Sequence, residues 1–270
     1  MGHALIIGGG GGIGGACCLG LARHGVTGMV VADCDLEAAS RVAAESKAAS
    51  TDPAFKAESI EVDVTAEESV ARAVSKAQQI LGRIDCCIIA AGIGALGAVE
   101  ISQMEAAEFT RFLHVNVTGT FLSLKHVSAA MKEQEARSVS EASPGRGVTR
   151  GVIVNIASAT SHVAQPGIAQ YVTSKHAVLG LTKTAALDNV KHGIRINCVC
   201  PTWVDTPMVR AAMEGIPELR NLITNSVPMG RIALKEELAD IVTFLAGPGS
   251  SYMTGESIIM DGGATLTMQH

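Results

Sequence analysis

No stretch of this 270-residue chain concentrates positive charge, and none stays apolar long enough to cross a bilayer. Charged residues make up 17% of it, the net charge is −5 and the isoelectric point is near 5.9. Phosphate binding rests on clustered Lys and Arg, so no nucleic-acid partner is expected. A membrane-spanning helix needs about 20 apolar residues in a row, so no membrane role is expected either. The N-terminus enters an apolar run (Ala4-Leu5-Ile6-Ile7) at once, and no secretory signal is read ahead of it.

Cysteine pairing is also missing. The seven cysteines, Cys17, Cys18, Cys34, Cys86, Cys87, Cys198 and Cys200, are odd in number and contain no C-x-x-C. They lie in or beside apolar runs, which reads as reduced core thiols rather than disulfides or zinc ligands. A cytoplasmic location and no metal site are the expectations. Aromatic residues are scarce at 3%, with only two tyrosines, Tyr171 and Tyr252.

Apolar residues, at 47%, suit a folded protein with a large buried core. Short apolar runs at 4–7, 28–32, 59–62, 84–90, 151–156, 194–199 and 257–260 read as strands. Segments of helical period at 13–24, 36–48, 66–81, 106–132, 169–191 and 235–245 lie between them. Strands this apolar are buried on both faces, and the helices supply right-handed crossovers. The expectation is one α/β domain, a doubly wound parallel sheet of about seven strands flanked by helices. Residues 133–150 are polar and aperiodic, and are expected to be a mobile surface loop.

A glycine run, Gly8-Gly9-Gly10-Gly11-Gly12-Ile13-Gly14, follows the first strand and opens the first helix. Glycines here allow a tight turn and bring backbone N–H groups to a pyrophosphate at the positive end of a helix. Five consecutive glycines are entropically costly, which points to a backbone requirement. Asp33 ends the second strand, where a carboxylate can accept both ribose hydroxyls of an adenosine and repel a 2′-phosphate. It is also placed to cap the next helix, although Asp35 can fill that role. Asp63, after the third strand, reads as an adenine contact or a turn residue.

Tyr171-Val172-Thr173-Ser174-Lys175 places a phenol and an ammonium one helical turn apart. A positive charge beside a phenol favours the phenolate and is expected to lower its pKa, so the pair can exchange a proton with an alcohol or carbonyl. Ser158 falls at the end of the fifth strand, where parallel sheets present ligands. Asn116 interrupts an otherwise helical stretch in which it is a poor helix former.

Taken in order, the glycine turn, Asp63-Val64, Ala91-Gly92, Asn116, Ser158, Tyr171, Lys175, the Asn197–Pro201 stretch, Val204-Asp205-Thr206-Pro207 and Asp261-Gly262-Gly263 resemble a short-chain dehydrogenase/reductase over essentially the whole chain. The resemblance implies a Rossmann-like dinucleotide fold, with a cofactor half near 1–150 and a catalytic and substrate half near 151–270. It implies Tyr171 as general acid/base, Lys175 lowering its pKa and binding the nicotinamide ribose, Ser158 holding the substrate oxygen, and Asn116 anchoring a proton-relay water. Gly8, Gly11, Gly12, Ile13, Gly14, Asp33, Asp63, Val64, Ala91, Gly92, Val204 and Thr206 would line the cofactor, NAD in preference to NADP. A homo-oligomer, tetramer or dimer, is implied through the helices at 106–132 and 169–191.

Three departures from the family pattern stand out. Ile7 replaces a threonine before the glycines, Ile89-Ala90-Ala91-Gly92 replaces Asn-Asn-Ala-Gly, and Pro201-Thr202 replaces Pro-Gly. Ile93, Leu96, Thr160, His162, Val163, Gln165, Trp203, Met208 and a flap over 209–226 carrying Met213, Ile216, Leu219, Leu222 and Ile223 are expected to line the substrate. They favour a lipophilic or cyclic secondary alcohol or ketone. A non-redox enzyme on the same fold (epimerase, dehydratase or cyclase) and a non-catalytic nucleotide-binding scaffold stay open as alternatives.

Overall fold

The computed structural model describes residues 2–95, 97–207, 209–210, 213 and 217–267, with backbone only for 217–220 and 222. Seven parallel strands form its sheet: β1 (His3–Ile7), β2 (Gly28–Asp33), β3 (Lys56–Glu61), β4 (Cys86–Ile89), β7 (Gly151–Ile156), β8 (Ile194–Pro201) and β9 (Ser257–Met260). Their spatial order is β3-β2-β1-β4-β7-β8-β9. A short antiparallel ribbon, β5 (Arg137–Ser138) and β6 (Val148–Thr149), stands apart.

Side-chain alternation explains the layering. Leu5 and Ile7 of β1 enter one core cluster, while Ala4 and Ile6 enter the other. Val30 and Ala32 oppose Met29 and Val31 in β2, as Cys87 and Ile89 oppose Cys86 and Ile88 in β4. A strand that buries both faces needs helices on both. One side is covered by α1 (Gly12–Arg23), α2 (Leu36–Ala49) and α8 (Lys235–Ala246), which contribute Leu21, Val42 and Leu238. The other is covered by α3 (Glu67–Leu81), α5 (Gly119–Lys132) and α6 (Ala169–Val190), which contribute Val70, Leu122 and Ala186.

The edge strand β3 starts at Lys56, three residues before its apolar signal. Its outward Lys56, Glu58 and Glu61 are charged, which hides it from an apolar count and protects an unpaired edge. The expected helix over 106–132 is present but interrupted. Between α4 (Ala106–Phe112) and α5, Leu113–Thr118 winds as a wider π turn, and Asn116 sits inside it, buried. Such turns are rare and occur often at functional sites. A further described helix, α7 (Pro217–Ser226), precedes α8.

Residues 133–150 depart from the expected structureless loop. β5 and β6 pair there around a turn at Pro144–Arg146. Gln134 bonds both backbone groups of Ile84 and the Arg150 C=O, while the Arg146 guanidinium reaches the Pro248 C=O. Strands of two residues are too short to leave a periodic signal, which is why the pattern read as loop.

In register, Ile7 lies level with Ala32 and Ile89, and Ile89 with Asn155. The carboxyl ends of β1, β2, β4 and β7 therefore open on one crevice, where strand order reverses beside β1.

Candidate active site

The glycine turn is built for close backbone approach. Gly8 has φ +81°, and a Cβ there would lie 2.3 Å from the Ala91 nitrogen. A Cβ on Gly14 would lie 2.0 Å from the Gly8 carbonyl oxygen. Around Gly11, by contrast, a Cβ meets nothing within 4 Å, so the turn borders open space. Gly11 precedes α1 with no side-chain cap, leaving first-turn N–H groups directed at that space. Ile13 is half-buried and packs on the core beneath. This geometry fits a dinucleotide pyrophosphate. Ile7, where a threonine was expected, ties the loop through its backbone, since its C=O accepts the N–H groups of Ala90 and Ala91.

Asp33 is not the helix cap. Asp35 takes that role, accepting the Ala38 N–H at 2.9 Å. Asp33 instead accepts the Gly10 N–H at 2.8 Å and the Asp35 N–H at 3.1 Å. Its Oδ1 also accepts the Cys34 thiol at 3.5 Å, and Oδ2 keeps a lone pair for a further donor. Asp63 is exposed and is used locally: one oxygen accepts the N–H and hydroxyl of Thr65, and these bonds lower its pKa. Val64 is buried against Gly119, Ala91 is half-buried and Gly92 exposed. Val204 is buried and bridges to Ala233. Thr206 lies 3.7 Å from the position of a Gly12 Cβ, which brings it to the glycine turn. Six cysteines are buried as expected, but Cys34 is exposed and its thiol contacts Asp33.

Three elements, the π turn, the turn after β7 and α6, bring Asn116, Ser158, Tyr171 and Lys175 together. The Asn116 amide clasps Ile93, accepting its N–H at 2.8 Å and donating to its C=O at 3.0 Å. It also donates to the Ser174 hydroxyl at 3.0 Å. Ser158 ends the segment after β7 and caps a short turn (Ala159–Ser161), accepting the Thr160 N–H. Its hydroxyl donates weakly to the Pro201 C=O at 3.4 Å. Lys175 lies buried in α6 with Nζ donating to the Ile156 C=O at 3.1 Å and standing 5.7 Å from the centre of the Tyr171 ring. Phe112 meets that ring edge-on at 6.4 Å. Gly92 closes the wall, because a Cβ there would lie 3.1 Å from Asn116 Oδ1 and 3.7 Å from Lys175 Nζ.

The electrostatics correct one expectation. The Tyr171 phenol is raised above its ordinary pKa, first by burial, with a hydrogen bond to Ser158 opposing and the Cys200 thiol adding to the rise. Lys175 does not offset this, because burial pushes its own pKa down to about 8. Its ammonium is spent on a backbone carbonyl rather than on a carboxylate.

Of the expected substrate wall, Ile93 and Trp203 are half-buried, Thr160 and Ile223 buried, and His162, Val163 and Gln165 exposed. Met213 is half-buried. Leu96, Met208 and Ile216, and the side chains of Leu219 and Leu222, lie outside the described residues. Thr202, replacing glycine, is accommodated without positive φ and donates its N–H to the Met260 C=O. Residues missed at the site are Phe112, Ser161, Ser174 and Cys200. All four are generic core or helix residues until the fold surrounds the tyrosine with them.

Comparison with known proteins agrees with this geometry. The family model described as enoyl-(acyl carrier protein) reductase matches residues 8–265. The short-chain dehydrogenase fogB of Aspergillus ruber is 56% identical over 266 residues, covering 98% of this chain and 97% of its own. A 2,5-dichloro-2,5-cyclohexadiene-1,4-diol dehydrogenase of Sphingobium indicum is 35% identical over 261 residues, 97% and 96% of the two chains. Among solved structures, a gluconate 5-dehydrogenase from Burkholderia cenocepacia in complex with NADP and tartrate superposes with a TM-score of 0.83. It is 28% identical, covering 98% of this chain and 96% of that one.

Proposed function

This chain belongs to the short-chain dehydrogenase/reductase family. From that premise we propose that it is an NAD(H)-dependent oxidoreductase that interconverts a secondary alcohol and a ketone on a small lipophilic or cyclic metabolite, with Tyr171 as general acid/base. The observation that carries the reading is the convergence of Ser158, Tyr171, Lys175 and Asn116 at the carboxyl ends of strands that also open on the glycine turn.

The nicotinamide cofactor, when bound, accepts or supplies the hydride. Everything else falls to the chain. Gly8, Gly11, Gly12, Ile13 and Gly14 hold the pyrophosphate, and Asp33 the adenosine ribose. Asp63 and Val64 border the adenine, and Ala91 and Gly92 the ribose side, while Val204 and Thr206 hold the carboxamide. Ser158 holds the substrate oxygen. In oxidation Tyr171 takes the hydroxyl proton, and in reduction it returns one to the carbonyl oxygen. Lys175 binds the nicotinamide ribose and, with that ligand in place, supports the phenolate. Asn116 anchors the outward proton path.

Asp33 supports NAD over NADP, since a carboxylate repels a 2′-phosphate and the next residues are Cys34 and Asp35. Related proteins act on substrates as different as a chlorinated cyclic diol and gluconate. The lining must therefore decide, and Ile93 and Trp203 support an apolar, cyclic group. Exposed Phe121, Leu187 and Val190 on α5 and α6 support a homo-oligomer through those helices. A cytoplasmic location completes the reading. The test is a panel of secondary alcohols and ketones followed by nicotinamide absorbance. Cyclic apolar substrates are expected to exceed sugars and hydroxy acids in kcat/KM, and the reverse order would refute the substrate class.

A further inference from the structure

Three backbone carbonyls of α6 accept hydrogen bonds from buried hydroxyls in addition to the helical ladder. The Tyr171 C=O accepts from Ser174 Oγ, the Lys175 C=O from Ser161 Oγ and the Val178 C=O from Thr182 Oγ1, each at 2.8 Å. Ser174 and Thr182 are fully buried, and Ser161 is nearly so. Two of the three carbonyls belong to the two members of the catalytic pair.

The far ends of these struts are informative. A helical serine bonding back one turn is common by itself. Ser174 differs because its oxygen also accepts from Asn116 Nδ2 at 3.0 Å, so Tyr171 is tied to the π turn and, through Asn116, to Ile93. Ser161 lies fourteen residues before the carbonyl it holds, and its own N–H donates to the Ser158 C=O at 2.8 Å. Lys175 is therefore tied to the turn that Ser158 caps. The third strut runs from Asn155 Nδ2 to Thr182 at 2.9 Å and ends on Val178, which has no chemical role.

We infer that Ser161 and Ser174 are positioning residues, which fix the backbone of Lys175 and Tyr171 to the turns that carry Ser158 and Asn116. The inference rests on the reading of the site under Proposed function. It adds two residues that touch neither substrate nor cofactor and act through the pair. Thr182, with the same chemistry one turn further along, provides an internal control for general loss of helix packing.

The test compares Ser161→Ala, Ser174→Ala and Thr182→Ala in the full chain by kcat, cofactor KM and thermal unfolding. The two serine variants are expected to lose roughly 10- to 100-fold in kcat with cofactor KM near wild type, since small misplacements of reacting groups cost that much. Thr182→Ala is expected to lose comparable stability with kcat near wild type. Equal kcat losses in all three, or none in the serine variants, would overturn the inference. Should the wild-type protein turn over no alcohol or ketone with either nicotinamide cofactor, it is the functional reading that fails. The positioning role is then decided by phenolate titration in a Tyr252→Phe background, where Tyr171 is the only tyrosine. Displacement of that titration by both serine variants but not by Thr182→Ala upholds it, and any other pattern overturns it.

Discussion

Asp33 Oδ2 accepts the Gly10 N–H at 2.8 Å, joining the end of β2 to the glycine turn across 23 residues of sequence. Asp35 caps α2, so the Asp33 carboxylate is held in place by backbone donors, and its Oδ2 keeps a lone pair for a ribose. Asp33→Asn is expected to weaken NAD(H) binding about 10- to 100-fold, as for loss of charge-assisted hydrogen bonds. It should weaken NADP(H) binding less, or strengthen it, because the repulsion of the 2′-phosphate is gone. Calorimetric titration with both cofactors checks this, and an equal loss for both would remove Asp33 from the ribose site.

Lys175 carries a folding cost that pH should reveal. Burial lowers its pKa from 10.5 to about 8, so below pH 8 the folded protein holds a buried charge that the unfolded chain solvates. Between about pH 8 and 10.5 the folded group is neutral while the unfolded one still binds a proton, so the penalty fades as pH rises and is gone above 10.5. A displacement of that size corresponds to about 3 kcal/mol. Lys175→Met in the cofactor-free protein is therefore expected to be more stable than wild type near neutral pH by up to that amount. Urea unfolding at neutral pH and near pH 10.5 measures the gain, which should shrink at the higher pH.

The glycine turn separates two requirements. Gly14→Ala places a Cβ 2.0 Å from the Gly8 carbonyl, a backbone collision, and should cost several kcal/mol of stability, on the order of 3. Gly11 has φ −166°, an extended conformation open to any residue, and its Cβ would meet nothing. Gly11→Ala should therefore leave the melting temperature near wild type while weakening cofactor binding, since the added methyl enters the space assigned to the pyrophosphate. Differential scanning calorimetry beside cofactor titration distinguishes the two effects.

The readable parts of the chain were those whose residues have no alternative use. Strands such as Gly151–Ile156, buried throughout, and the five consecutive glycines admit few other readings. Asn116 was legible as an anomaly in a helix, and the π turn is the backbone form of that anomaly. Cooperative features were hidden. The apolar signal of β3 is shorter than the strand because an edge strand is partly polar, and the ribbon at 137–149 leaves no signal because strands of two residues carry no period. Sequence spacing placed Lys175 beside Tyr171, but it does not report desolvation. Burial raises the phenol and lowers the ammonium, opposite to the charge effect expected from proximity alone. Ser161 and Ser174 looked ordinary because their partners lie on other elements.

The central claim is that Tyr171 moves the substrate proton while the rest of the crevice holds the cofactor. Turnover by Tyr171→Phe, followed by nicotinamide absorbance beside NADH affinity, tests it most directly. Phe keeps the ring against Phe112 and removes only the hydroxyl at Ser158. The account predicts NADH binding near wild type and a loss of kcat of about 10²- to 10⁴-fold, the range for general acid–base catalysis. Turnover retained within a few-fold, with NADH bound normally, would contradict it.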